Sequence, residues 1–233
     1  MPRYPARVDL RPQFAKWGLA LKPQGARPTC SVFVITAALE FAAAQRHQDG
    51  FIFSEEYLNW ASNEVLDQYE DGGFFSDLWQ GYQKHGICEA RLAEYRDIFD
   101  PAWRPSKEAV RQAHSFRLDA YELTWIKSWD VTTGLCDDEL AAVLDSLRAG
   151  LPVCLGMRWP KQPEYDEGVL RMCPPEEVFD GHSVLLVGYV LEHVGDLTSG
   201  VVLARDSGSG GRYVSLPISF ICEYTNDAAV VSD

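Results

Sequence analysis

An α+β fold is what this sequence predicts, and three observations predict it. Apolar residues recur at helical spacing in the first half, as at Val32, Ile35 and Leu39 and again at Leu78, Trp79 and Tyr82. From about Ser115 the texture changes to alternation and to strand-length apolar runs such as Ser183-Val184-Leu185-Leu186-Val187. No repeat or low-complexity segment interrupts this order, and helices followed by strands segregate into an α+β arrangement. A chain of 233 residues is long enough for one large domain or for two halves around a shared cleft. The reading taken is a single domain over 1–233, with a helical lobe at about 22–114, a β-rich lobe at about 115–233, and an arm of residues 1–21 crossing to the latter.

The elements follow in order. Residues 1–21 read as extended, with Val8-Asp9-Leu10-Arg11 as the short strand, because Pro2, Pro5, Pro12 and Pro23 argue against a helix. A long apolar helix spans about 30–46, capped by Thr29 and broad enough in its stripe (Phe33, Ala37, Phe41, Ala44) to be buried on much of its circumference. Ser54 caps a second helix whose first turn carries Glu55 and Glu56, favourable to its dipole. A third runs from Phe75 to His85 and stops at Gly86; a short fourth covers Ser106 to His114. After the alternating residues Phe116, Leu118, Ala120 and Leu123, one more helix spans about Asp138 to Ala149 and stops at Gly150. Strands are expected at Pro152–Trp159, Ser183–Val190, Val201–Arg205, Tyr213–Leu216 and Phe220–Tyr224, with a proline-rich loop over 160–180.

Composition narrows the function. Apolar residues make up 46% and charged residues 24%, the balance of an ordinary globular chain. A net charge of −13 argues against nucleic acid or an anionic membrane as partner, since both require a basic face. The N-terminus Met1-Pro2-Arg3-Tyr4-Pro5 has no apolar h-region, and no apolar run is long enough to span a bilayer. The six cysteines are scattered without a C-x-x-C pair, so neither a metal site nor a disulfide framework is read from them. Reduced thiols suit a cytoplasmic protein; a signal-less route of export stays open on the sequence alone. No cofactor is expected.

Chemistry concentrates in three places. The loop Lys22-Pro23-Gln24-Gly25-Ala26-Arg27-Pro28-Thr29 delivers Cys30 onto the first turn of the long helix, where unpaired N–H groups and the helix dipole favour a thiolate. Gln24 lies six residues before that cysteine. Of the five histidines, His47, His85 and His114 fall in last turns of helices, where the dipole suffices to explain them, and His193 lies in a polar segment. His182 differs, because Asp180-Gly181-His182 turns directly into an apolar strand. The next strand ends in Arg205-Asp206-Ser207 before the glycine-rich Gly208-Ser209-Gly210-Gly211, which lacks the G-K-[ST] of a phosphate loop. A cysteine nucleophile needs a base and a group that orients the base, and the three places could supply them.

Taken in this order, the residues resemble the papain-like cysteine peptidases. Gln24-Gly25 with Cys30 looks like the family's oxyanion-hole glutamine and nucleophile. Gly181-His182-Ser183-Val184-Leu185-Leu186-Val187-Gly188-Tyr189 is similar to its histidine-bearing strand, and Asp206-Ser207 to its asparagine-serine, with aspartate for asparagine. Glu70-Asp71-Gly72-Gly73 resembles the glycine pair that lines the substrate cleft, with Phe74 beside it, and Gly181 adjoins the histidine. The resemblance runs from about Val8 to Ile221. It implies a papain-like fold of a helical half packed on a β-barrel-like half with the active-site cleft between them. The implied activity is hydrolysis of peptide or protein substrates by Cys30, His182 and Asp206 with Gln24 as oxyanion donor, with Gly72, Gly73, Phe74 and Gly181 binding substrate. It also leaves two alternatives: a binding module that keeps the fold, or acyl transfer or deamidation by the same groups.

Three positions depart from the family pattern. A disulfide cysteine three residues before the nucleophile is Arg27 here, the aromatic residue after the nucleophile is Ser31, and a tryptophan shielding the histidine pair is Gly208. Too few residues precede Val8 for an inhibitory propeptide, so a separate inhibitory or regulatory partner is expected.

Overall fold

The computed structural model describes residues 4–193, 196–208 and 210–233, so that Pro2 and Ser209 lie outside the described residues. The helices are α1 Arg11–Lys16, α2 Cys30–His47, α3 Glu55–Leu66, α4 Phe75–His85, α5 Lys107–Arg117, α6 Asp137–Arg148 and α7 Ile218–Tyr224. The strands are β1 Arg7–Asp9, β2 Glu122–Lys127, β3 Val153–Pro160, β4 Tyr165–Asp166, β5 Val169–Leu170, β6 Val178–Leu191, β7 Gly200–Asp206, β8 Arg212–Pro217 and β9 Thr225–Ser232. The chain divides into two compact units. A helical unit takes Phe14–Leu123, Ser207–Gly211 and Val231–Asp233, and a β unit takes Met1–Gln13, Thr124–Asp206 and Arg212–Val230.

In the helical unit α2 is buried along Cys30 to Ala44, which is why its sequence is apolar on every side rather than striped. Glu40 on this helix is fully buried, and its carboxylate accepts from Lys22 Nζ at 2.8 Å and from the Phe53 N–H at 2.8 Å. The Ser54 hydroxyl caps α3 by accepting from the Tyr57 N–H. Helices α3 and α4 meet at Gly81, where a Cβ would lie 2.5 Å from the Ser62 nitrogen; only glycine lets the two backbones approach so closely. At the end of α4, Gly86 holds φ +75 and passes its backbone against the Ala113 carbonyl of α5.

In the β unit the strands order as β2-β9-β3-β6-β7-β8-β5-β4, with β1 pairing to β6. Strand β6 is the centre: antiparallel to β3 (Met157 opposite His182), to β7 (Leu185 opposite Arg205) and to β1 (Val8 opposite Tyr189). Val184 to Tyr189 are buried, consistent with a strand covered on both sides.

Several sequence expectations are corrected. Residues 11–16 form α1 despite Pro12, because proline in a first turn sacrifices an N–H that has no helical partner; Asp9 Oδ1 accepts the Arg11 N–H just before it. Thr29 occupies the N-cap position of α2 without a side-chain capping bond. Residues 218–224 are helix α7 rather than a strand, and β9 follows it. Ile218, Phe220, Cys222 and Tyr224 alternate as a strand would, yet Ile218/Ile221 and Phe220/Tyr224 also fit helical spacing, so the run is ambiguous by period. Within 160–180 the chain forms β4, β5, a 3₁₀ turn at Pro175–Glu177 and the first residues of β6.

Candidate active site

In the helical unit Cys30 is the first residue of α2 and is 8% exposed. The Thr29 hydroxyl, which does not cap the helix, lies 2.7 Å from the Tyr95 hydroxyl, and Tyr95 donates to the Gln24 carbonyl at 2.9 Å. The end of α2 that carries positive potential therefore has no side-chain cap ahead of Cys30.

Gln24 is held at both ends of its amide. Its Oε1 accepts from Ser207 Oγ at 2.8 Å, its Nε2 donates to the Arg27 carbonyl at 2.9 Å, and its backbone N–H donates to the Ser207 carbonyl at 2.9 Å. A primary amide carries two N–H bonds on Nε2, so this arrangement orients the second one as well as the first.

Arg27, three residues before Cys30, is 5% exposed and fully engaged. Its guanidinium donates to Asp71 (Nη2–Oδ1 2.6 Å, Nε–Oδ2 3.0 Å), to Glu56 Oε2 at 2.5 Å and to the Arg96 carbonyl at 2.7 Å, and lies 4.6 Å from the Tyr95 ring centroid. Burial opposes its charge, but the two carboxylates prevail and raise its pKa above the ordinary value. Asp71 precedes the glycine pair, and the next residue, Gly72, donates its N–H to Asn59 Oδ1 at 3.0 Å. Gly72 holds φ +79, and a Cβ there would meet the Pro28 carbonyl oxygen at 2.5 Å and Ser31 Oγ at 3.6 Å. The glycine segment thus lies directly against the loop that leads to Cys30. Gly73 follows with φ +141, and Phe74, 52% exposed, occupies the N-cap position ahead of α4.

In the β unit His182 Nε2 lies 2.9 Å from Asp206 Oδ1, with side-chain exposures of 13% and 3%. The β6–β7 register explains the pair. Leu185 faces Arg205, and continuing that alignment puts Asp206 opposite Val184, on the face that His182 shares two residues away. Gly181, exposed and at φ +100, lets the strand turn into His182. Trp159 of β3 packs on the histidine, ring centroids 4.6 Å apart.

Four of the other thiols are held in the protonated form. Burial pushes Cys88 up to about 12 and Cys222 up to about 11, and raises Cys154 and Cys173 as well, which keeps them protonated at neutral pH. Among the described residues no disulfide is formed by any of the six cysteines. Among the described residues no helix is long and apolar enough to cross a membrane.

Of the site residues that sequence reasoning named, Gln24, Cys30, Gly72, Gly73 and Phe74 lie in the helical unit and His182, Asp206 and Gly181 in the β unit. That reasoning missed the side chains that hold these groups: Ser207, Tyr95, Asp71 as the partner of Arg27, and Trp159. Ser207 directly follows Asp206, which is the one local signal available for it.

No family model and no curated protein matches the chain. Among solved structures, it is similar to xylellain, a cysteine protease from Xylella fastidiosa, with a TM-score of 0.74 and 19% identity over 100% of this chain and 90% of that one. It is similar to digestive procathepsin L 3 of Tenebrio molitor larval midgut (TM-score 0.68, 19% identity, 100% and 73% covered). It also resembles the Amb a 11 cysteine protease, a ragweed pollen allergen, in its proform (TM-score 0.67, 23% identity, 100% and 67% covered). The helical elements, the β6-centred sheet and these likenesses together establish that the chain has the papain-like fold.

Proposed function

We propose that the protein is a cysteine peptidase acting on peptide or protein substrates, as one papain-like catalytic domain. The observation that carries this reading is the part-buried His182–Asp206 hydrogen bond at 2.9 Å, in a fold shared with cysteine proteases and in a chain whose long buried helix begins at Cys30. His182 would hold the Cys30 thiolate as an ion pair through its other ring nitrogen, while Asp206 fixes the tautomer and supports the positive charge. The thiolate attacks the scissile carbonyl; the second Nε2–H of Gln24 and the Cys30 N–H stabilise the oxyanion. His182 then gives its proton to the leaving amine, and water releases the acyl group. Gly72 and Gly73, without side chains, admit an extended substrate against the backbone, with Phe74 and Gly181 bordering it.

Acyl transfer or deamidation would use the same groups and differ only in the attacking species, and a binding module would keep the fold without turnover. Labelling with an epoxide or fluoromethylketone probe separates these readings. Modification of Cys30 in wild type, lost in His182→Ala, together with peptide hydrolysis abolished in Cys30→Ala, is the expected result. Full hydrolysis by Cys30→Ala would overturn the assignment, and an added amine captured in the product would point to transfer.

A further inference from the structure

On the reading above, His182 must keep one ring orientation while it carries a proton. Beside its bond to Asp206, the ring has an aromatic neighbour. Trp159 is 6% exposed, and its ring lies 4.6 Å from the imidazole at an interplanar angle of 55°. Behind Trp159 stands Phe220 at 6.1 Å and 82°, and behind Phe220 stands Tyr224 at 4.9 Å and 61°. Phe220 and Tyr224 are four apart on α7 and so share a face. Arg158, the neighbour of Trp159, fastens that helix to β3: its Nη2 donates to the Glu223 carbonyl at 2.6 Å and its guanidinium lies 5.1 Å from the Tyr224 ring centroid.

The strand register is broken at this place. Met157 faces His182, but Trp159 faces Phe179, with the shift between Met157 and Trp159. Such a bulge redirects a side chain, and this one accompanies an indole packed against the histidine ring.

We propose that Trp159 is the positioning residue for His182: the indole, braced by Phe220 and Tyr224, fixes the imidazole plane for its bond to Asp206 and favours the imidazolium. The face of an aromatic ring attracts a cation, and the indole also keeps water from competing for the charge-assisted bond. Among the described residues, neighbouring strands also bring near the pair Arg212 of β8, opposite Asp206, and Tyr165 of β4, whose ring lies 4.2 Å from the Arg212 guanidinium. The Cys30 thiolate joins them on the proposed function, on which this inference rests.

The test is the His182 titration, followed by NMR on the full chain with labelled histidine, beside the pH profile of kcat/KM. Trp159→Leu fills much of the space without a ring face, and Trp159→Phe keeps one. Expected is a fall of about half a pH unit or more in the His182 midpoint, and in the alkaline limb of kcat/KM, for Trp159→Leu, with Trp159→Phe near wild type. An unchanged or raised midpoint in a folded Trp159→Leu protein overturns the proposal. If Trp159→Leu does not fold, Phe220→Leu, which loosens the brace from behind, is expected to lower the midpoint in the same direction by a smaller amount, and an unchanged value again overturns it. Should wild type show no peptidase activity, the proposed function fails while the NMR titration still decides this inference.

Discussion

Arg27 and Asp71 meet through two parallel hydrogen bonds, 2.6 Å from Nη2 to Oδ1 and 3.0 Å from Nε to Oδ2, with both side chains at or below 7% exposure. The pair ties the loop ahead of Cys30 to the segment that carries Gly72 and Gly73, bridging positions 44 residues apart. Because Glu56 shares the same guanidinium, removing Arg27 leaves two buried carboxylates without their cation. Arg27→Met is therefore expected to cost on the order of 3–5 kcal/mol in urea unfolding. Arg27→Lys should recover only part of that loss, since an ammonium cannot reproduce the planar fork. A stability within about 1 kcal/mol of wild type for Arg27→Met would show that the pair is not a structural clamp.

Ser207 and Gln24 give a second, kinetic prediction. Gln24→Ala removes the proposed oxyanion amide, and kcat should fall by about 10²–10³ with little change in KM. Ser207→Ala leaves the amide but frees it to flip, since Oε1 loses its donor. One neutral hydrogen bond is worth about 1 kcal/mol, so a loss of roughly fivefold in kcat is expected, and the double variant should be no worse than Gln24→Ala alone. Additive losses would mean that Ser207 acts elsewhere than through Gln24.

The residues that were legible in the sequence are those whose chemistry is set by chain position. Cys30 begins a helix and His182 begins an apolar run, and both facts are visible as spacing. Long elements such as α2 and α4 declare themselves by repeated period and by a stop such as Gly86. What was hidden depends on partners far along the chain. Nothing near Arg27 indicates that Asp71 and Glu56 will neutralise it, and nothing near Trp159 indicates a histidine on the paired strand β6. Thr29 has the residue type of a cap, yet its hydroxyl was taken by Tyr95, 66 residues away. Helix α7 was hidden for a different reason: seven residues are too few to distinguish a period of 2 from one of 3.6.

The buried carboxylates Glu40 and Glu55, paired with the half-buried Lys22, make stability depend on pH. Two carboxylates share one ammonium, and burial, outweighing Lys22, pushes Glu55 up from 4.5 to about 7. A carboxyl whose folded value exceeds its unfolded value binds more protons in the native state, so stability falls as pH rises across that interval. Asp227, raised by burial to about 6, adds to the same slope. From about pH 5 to about pH 8 these two carboxyls lower stability while His85, whose pKa burial lowers, acts in the opposite direction, so Glu55→Gln is expected to make the change from pH 5 to pH 8 less unfavourable than in wild type. Urea midpoints at the two pH values test this; an undiminished difference in Glu55→Gln would assign the slope to other groups.

Gly72 offers a way to separate substrate binding from the nucleophile. Alanine there must hold φ +79, which L side chains rarely adopt, and its Cβ would lie 2.5 Å from the Pro28 carbonyl oxygen, so the segment has to move away from the loop leading to Cys30. Asn59 and Asp71 hold the segment on its other side, through the Gly72 N–H and the Arg27 guanidinium, so the displacement is resisted and local rather than global. If Gly72 lines the path of an extended substrate, Gly72→Ala should raise KM for a peptide several-fold while the rate of Cys30 alkylation by iodoacetamide, a reagent too small to need that path, stays close to wild type. Equal losses in both would place Gly72 in the support of Cys30 instead, because a thiolate that reacts more slowly with a small alkylating agent has lost its own environment and not its substrate.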